Sequence, residues 1–248
     1  MLCNGITNIG LKRKSNQDCF RIHSTKRYTA AVVCDGMGGA KGGSTASRTA
    51  ATAFMKSLRT SLASLNFDRF TTGDIDRILA NSLNLANTAV YEKAGTNDSY
   101  EGMGTTLVGA VCIGDRAYIV NTGDSRLYAV KGEEIRQITK DHSFVQYLID
   151  SGAISELEAA NHPQKNIILK VVGVAESTEC DVFNITDFDY LLLCTDGLSN
   201  VVSKEEMLNV LTDGLDDVTK LNILVEVANE RGGADNITAV VFDGKEQL

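Results

Sequence analysis

Residues 30–47 read AAVVCDGMGGAKGGSTAS: an apolar run ends on Asp35, and five glycines follow between positions 36 and 43. A carboxylate at the end of a buried strand is costly unless something pairs with it. Bare backbone beside it has three uses: closing a hairpin, cradling a phosphate, or letting a carbonyl approach a metal. The rest of the chain bears on the choice.

The pattern returns. Residues 191–197 read LLLCTDG, with Asp196 in the place of Asp35, and ERGGADNITAVVF puts Asp235 in a glycine-rich turn before an apolar strand. NTGDSRLYAV sets Asp124 ahead of another strand, and GLKRKSNQDCF carries Arg13 and Asp18 ahead of the strand-like CFRIHS. One Asp-Gly pair is ordinary turn chemistry, and four occur here, at 35, 196, 213 and 243. Three aspartates beside long apolar strands are a different matter. If those strands are neighbours, Asp35, Asp196 and Asp235 converge at one sheet end and repel unless cations neutralise them. Carboxylates with the nearby Gly36 carbonyl suit hard octahedral ions, Mg²⁺ or Mn²⁺, better than zinc. Two such ions activate a water near neutral pH, which suits hydrolysis of a phosphate ester. Arg13 is the natural phosphate contact because its guanidinium matches phosphate geometry, although in KRK (12–14) it also reads as a solvated charge.

Composition narrows the classes. At 248 residues and 43% hydrophobic, the chain can bury a sizeable core, and with no linker-like tract and only Pro163 as proline it reads as one domain over 1–248. A net charge of −8 argues against a nucleic-acid surface but not against a phosphorylated substrate met through metal ions. Six cysteines, three of them inside apolar runs (Cys34, Cys112, Cys194), read as core residues of a reducing compartment. With no signal peptide and no apolar run of about 18 residues, a cytoplasmic protein without membrane insertion is expected.

Strands are predicted at 29–34, 105–113, 116–121, 126–130, 190–195 and 237–242, and helices at 44–65, 74–94 (Asp74 as N-cap) and 217–229. Strands and helices are segregated rather than alternating, which predicts an α+β fold with antiparallel sheets packed between helix pairs. Residues 142–175 hold short helical fragments and read as an irregular excursion bordering the site.

Competing chemistries fail on spacing. GGAKGGST (38–45) lacks the lysine that a P-loop needs after Gly43, and Gly36-x-Gly38 meets Lys41 where a dinucleotide fingerprint needs its third glycine. No cysteine has an arginine six positions later, and His23, His142 and His162 form no ligand-spaced pair. Asp187-Phe-Asp189 precedes its strand and reads as turn chemistry.

In order and spacing, RKSNQD, VVCDGMGG, GMGTTL, NTGDSR, TKDHS, LLLCTDGLS and GGADNIT resemble the metal-dependent type 2C serine/threonine protein phosphatases. The bacterial single-domain members, partners of eukaryotic-like Ser/Thr kinases, are the nearest pattern. The resemblance spans residues 1 to about 243 and implies a four-layer α-β-β-α sandwich. It implies hydrolysis of phosphoserine and phosphothreonine in proteins with two Mn²⁺ or Mg²⁺ ions, and a possible third. By position, Asp35 would bridge the two ions and the Gly36 carbonyl would complete one. Asp196 and Asp235 would hold the other. Asp18 would act near the metals, partly through water, and Asp124 with Asp196 would take the third ion. Arg13 would bind phosphate, and 143–175 would be a mobile flap influencing substrate choice.

Two positions depart. Gln17 stands where many members have glutamate, and Met37 stands where animal members have the histidine proposed to protonate the leaving oxygen. The proton donor is therefore unassigned, with a water on the metal and His142 as candidates. Ser125, Arg126 and Asn236 read as turn-fixing residues. Two further functions fit the same fold: a catalytically silent scaffold for phosphoproteins or a kinase, and a phosphatase dedicated to one stress or sporulation regulator. Retention of Arg13, Asp35, Asp196 and Asp235 counts against the scaffold.

Overall fold

A computed structural model of the protein describes residues 1–245, except for the side chains at 40 and 160. The last three positions of the expected 1–248 domain lie outside the described residues. One antiparallel sheet is built, in spatial order, from β1 (Leu2–Asn8), β11 (Ile237–Asp243), β10 (Tyr190–Cys194), β7 (Arg126–Lys131) and β8 (Glu134–Gln137). The other runs β2 (Asp18–Ser24), β3 (Thr29–Met37), β5 (Leu107–Ile113), β6 (Arg116–Thr122) and β9 (Asp181–Thr186), with β4 (Gly104–Thr105) attached to β3. Helices α1 (Gly39–Ala63) and α2 (Thr72–Ala94) cover the second sheet. Helices α5 (Asp196–Ser199), α6 (Lys204–Thr212) and α7 (Asp217–Glu230) cover the first. The result is the expected α-β-β-α sandwich.

The sheets meet face to face because each strand alternates with period two. Ala31 and Val33 of β3, Leu191 and Leu193 of β10, and Val240 and Phe242 of β11 fill the space between them. Their neighbours Val32 and Cys34, or Leu192 and Cys194, face the helices. The same parity continues past the apolar run and places Asp18, Asp35, Thr106, Ser125, Thr195 and Thr238 on the inward face at one end of the sandwich. That end holds the site.

Several boundaries move. Helix α1 starts at Gly39, five residues before the expected 44, with Gly38 at φ 113° as its N-cap. Gly43 sits inside this helix despite its low propensity because a Cβ there would stand 2.7 Å from the Gly36 carbonyl oxygen. In α2 the N-cap is Thr71, and Asp74 is its reciprocal partner three residues on, so the predicted cap is displaced by three. Val218, expected on the apolar face of α7, is exposed, whereas Leu221, Leu224, Val225 and Ala228 are buried. β1, β8 and β9 went unpredicted: all three are edge strands with partly exposed, mixed residues. Residues 142–175 contain α3 (Phe144–Asp150) and α4 (Glu156–Ala160), with isolated bridges at Ser143–Ile168 and Thr105–Val172.

The Phe54 ring of α1 fills the space over Gly109 of β5, where a Cβ would lie 2.9 Å from its Cζ. Phe54→Ala is expected to cost about 3–5 kcal/mol, read as a lower urea midpoint at unchanged slope.

Candidate active site

Arg13, Asp35, Gly36, Asp124, Asp196 and Asp235 line one cleft of about 640 Å³ at the polar end of the sandwich. Asp18 is buried beneath it, opposite Asp35 in the β2–β3 register. Both sheets contribute. Asp35 ends the inward row of β3, Asp196 opens α5 directly after β10, and Asp235 precedes β11. Asp124 follows Gly123 in the turn between β6 and β7.

The backbone of Asp35 is fixed on both sides. Its N–H donates to Thr106 Oγ1 at 2.9 Å, and its carbonyl accepts from Thr105 Oγ1 at 2.7 Å and Thr106 N at 2.9 Å. Thr106 in turn shares a 2.7 Å hydroxyl contact with Ser125. Gly36 is packed so closely that a Cβ would stand 2.0 Å from the Gly43 carbonyl oxygen and 2.7 Å from that of Gln17. Only glycine fits there, which leaves peptide rather than side chain facing the cleft. At Gly197 an added Cβ would likewise meet the Asn236 carbonyl at 2.0 Å.

Like charge is concentrated here. Burial, then the carboxylates of Asp18 and Asp196, holds Asp35 well above the usual carboxylate range. Burial raises Asp18 to about 7 against the hydrogen bonds that it accepts from Thr238 and Thr195. Burial and the neighbouring Asp196 raise Asp124 to about 7. Asp196 is raised by burial and by Asp235, and lies within hydrogen-bonding reach of Asp35. Asp235 also faces Arg13, whose Nη2 donates to its Oδ2 at 2.6 Å.

The donor set fits a hard divalent cation. Asp18 Oδ1 and Asp196 Oδ1 are buried with no hydrogen-bond partner among the described residues. Unpaired carboxylate oxygens beside a crowded peptide are the ligands that Mn²⁺ or Mg²⁺ prefers. Among the described residues no three His, Cys, Asp or Glu side chains form a ready-made cage.

Other predicted residues take structural positions. His142 is buried outside the cleft: its Nδ1 accepts from Gly123 N at 3.2 Å, which leaves Nε2 to donate to Asp181 Oδ2 at 3.1 Å. It buttresses the Gly123–Asp124 turn, and its candidacy as proton donor falls. Arg126 forks onto Asp141, with Nη2 to Oδ2 at 2.7 Å. Asn236 accepts from Gln17 N and donates to the Ile9 and Ser15 carbonyls, tying the Arg13 loop to the Asp235 turn. Gln17 donates to the Gly39 carbonyl, and Met37 lines the cleft with no titratable group. Asp189 accepts from Gly132 N at 2.9 Å after Asp187 at φ 60°, which is turn chemistry. The supporting residues missed by sequence reasoning are threonines: Thr195 donates to Asp18 Oδ2 at 2.9 Å and accepts from Thr238 N at 3.0 Å. Their signal was the inward parity, legible only once the strands were paired.

A model of the protein phosphatase 2C family matches residues 12–228. Protein phosphatase PhpP of Streptococcus pneumoniae is 35% identical over 98% of this chain and 97% of its own length. The crystal structure of serine/threonine phosphatase Stp1 from Staphylococcus aureus superposes with a TM-score of 0.87 at 33% identity, over 97% of this chain and 94% of that one. The catalytic domain of serine/threonine protein phosphatase PstP, in complex with two manganese ions, superposes with a TM-score of 0.76 at 33% identity, over 98% and 97%.

The carboxylate cluster sets a pH dependence. Asp18 and Asp124 bind protons more tightly folded, at about 7, than at their ordinary value of 3.8, so their contribution to stability is complete below that value. It is lost as pH rises through about 7. In excess chelator the unfolding free energy from urea titration should therefore fall between about pH 5 and about pH 8, by on the order of 2 kcal/mol, and Asp35→Asn should restore part of the loss. An unfolding free energy that is flat or rising in chelator would contradict this electrostatic picture.

Proposed function

The chain belongs to the protein phosphatase 2C family, and from that premise we propose how its cleft works. The protein is a Mn²⁺- or Mg²⁺-dependent protein serine/threonine phosphatase. The observation that carries the assignment of residues is the convergence of Asp35, Gly36, Asp124, Asp196, Asp235 and Arg13 on one cleft, with Asp18 below.

Asp35, the Gly36 carbonyl, Asp196 and Asp235 would together hold two ions. Asp124, with Asp196, offers the position of a weaker third. Bound there, the ions supply Lewis acidity and a water activated near neutral pH. The chain's own groups do the rest. Arg13 turns from Asp235 to the incoming phosphate, so its 2.6 Å contact is exchanged rather than broken. Asp18 accepts from Thr195 through one oxygen and keeps the other buried without a hydrogen-bond partner among the described residues. Met37 provides no acid beside Asp35, so no side chain at that position hands the leaving serine oxygen its proton.

The substrates are phosphorylated proteins, and we place a eukaryotic-like Ser/Thr kinase opposite this enzyme in the cytoplasm. No described helix is long and apolar enough to cross a membrane. Residues 1–248 form one catalytic domain, and 143–175 serve as a flap: support comes from Asn166 and Ile168, which border the cleft.

With Mn²⁺ the purified protein should release phosphate from a phosphothreonine peptide, and excess chelator should abolish release. Asp196→Asn is expected to lower kcat by about a hundredfold or more, since it removes a ligand carboxylate. Arg13→Ala is expected to raise KM by about tenfold with a smaller change in kcat, as for lost charge-assisted hydrogen bonds worth about 1.5–3 kcal/mol. Full phosphatase activity in chelator would refute the assignment.

A further inference from the structure

Far from the cleft, a groove of about 840 Å³ runs between the β2–β3 hairpin and α1. Arg21, His23, Lys26, Arg27, Lys56 and Arg59 line it, and no acidic residue does. The five Lys and Arg side chains are exposed, and among the described residues none forms an ion pair. Arg27 stacks over the Phe67 ring at 5.3 Å, and Tyr28 lies parallel to Phe67, which gives the groove an apolar floor under its cations. Partial burial and the positive field of Arg59 lower the pKa of His23. The charge is segregated: residues 19–67 hold seven Lys and Arg against one acidic residue, Asp35, in a chain of net charge −8.

The basic surface leads to the cleft. Lys41, Arg48, Lys56 and Arg59 recur at helical spacing on one exposed face of α1, whose first residue, Gly39, lines the cleft. Arg48 and Arg21 both act on the Cys19 thiol between them, so helix and strand share this track. From Asp18 at the cleft to Ser24 at the hairpin is six residues of strand, about 20 Å. An extended peptide covers that span in roughly six residues.

We propose that this groove docks an acidic segment of the phosphoprotein substrate while the phosphoresidue occupies the cleft. The proposal rests on the phosphatase reading above. Charge complementarity favours a short acidic peptide over nucleic acid, because the cationic area is one helix face long and the remaining surface repels an extended polyanion.

The test compares phosphothreonine peptides with four Asp or Glu placed about eight residues from the phosphoresidue, placed about two residues away, or replaced by Ser and Gly. They are assayed with Mn²⁺ on the whole protein and on Lys56→Glu/Arg59→Glu, and p-nitrophenyl phosphate reports the bare cleft. Expected is a KM about tenfold lower for the distal acidic peptide than for the neutral one, with kcat unchanged and the advantage lost at high salt. The double variant should erase this preference and leave hydrolysis of p-nitrophenyl phosphate intact. Equal KM values for all peptides would overturn the proposal, as would a variant that slows p-nitrophenyl phosphate equally. So would single-stranded DNA that binds the groove more tightly than the acidic peptide, or a dimer that the double variant dissociates. If p-nitrophenyl phosphate is not hydrolysed at all, the phosphatase reading fails by itself. Fluorescence anisotropy of the unphosphorylated acidic peptide then still decides the groove: binding lost in the double variant supports docking, and no binding refutes it.

Discussion

The fold depends on a period of two that changes chemistry at one end. Along the middle of β3, β10, β11, β5 and β7 every second residue faces the opposite sheet and is apolar, until at the cleft end the inward position becomes Asp35, Thr195, Thr238, Thr106 or Ser125. The hydrophobic contact that joins the sheets thus also brings their polar ends together. Close-packed inward side chains leave little freedom for either sheet to slide, because a shift by one residue would turn the carboxylates out and the helix-facing side chains into the space between the sheets. Register and site geometry are one constraint.

That constraint works against the electrostatics. Asp18 and Asp35 face each other across a strand pair, and Asp196 approaches from the other sheet, an arrangement that like charges resist. The threonine hydroxyls do not neutralise the charge. They hold the Asp35 peptide and Asp18 so that repulsion is expressed as retained protons rather than as movement. Because the proposed ligands come from both sheets, a divalent cation held there would join the two halves of the sandwich in addition to its chemical role. In the groove between the β2–β3 hairpin and α1 the sign of charge is reversed. The uncompensated cations around the β2–β3 hairpin give the molecule an electrostatic axis along the same strands.

Much of this was legible in the sequence. Long apolar runs, the 3.6-residue pattern of α1 and α2, and the repeated strand–Asp–Gly signal gave the layers and the acidic set, because burial and turn chemistry are local properties. Edge strands were not legible. β1 and β9 are half-exposed and mix polar with apolar residues, so nothing in LCNGITN or DVFNIT separates them from loops. The early start of α1 was hidden for another reason: Gly39, Gly42 and Gly43 read as a loop by propensity, and only tertiary crowding at Gly36 explains a helix through them. His142 shows the converse. Its type and position suggested chemistry, and its partners Gly123 and Asp181 lie 19 and 39 residues away, beyond any local pattern.

The pairing of β1 with β11 has a temporal side. Leu2 stands in register with Asp243, and among the described residues β1 has no other strand partner, so the first described strand waits for the last. β11 also supplies Thr238, whose N–H holds Thr195 on Asp18, and it follows directly from Asp235. A polypeptide still on the ribosome therefore carries Asp18 and Asp35 without their counterparts. Such long sequence separation slows folding, and the β1–β11 pairing cannot form until β11 has been synthesised.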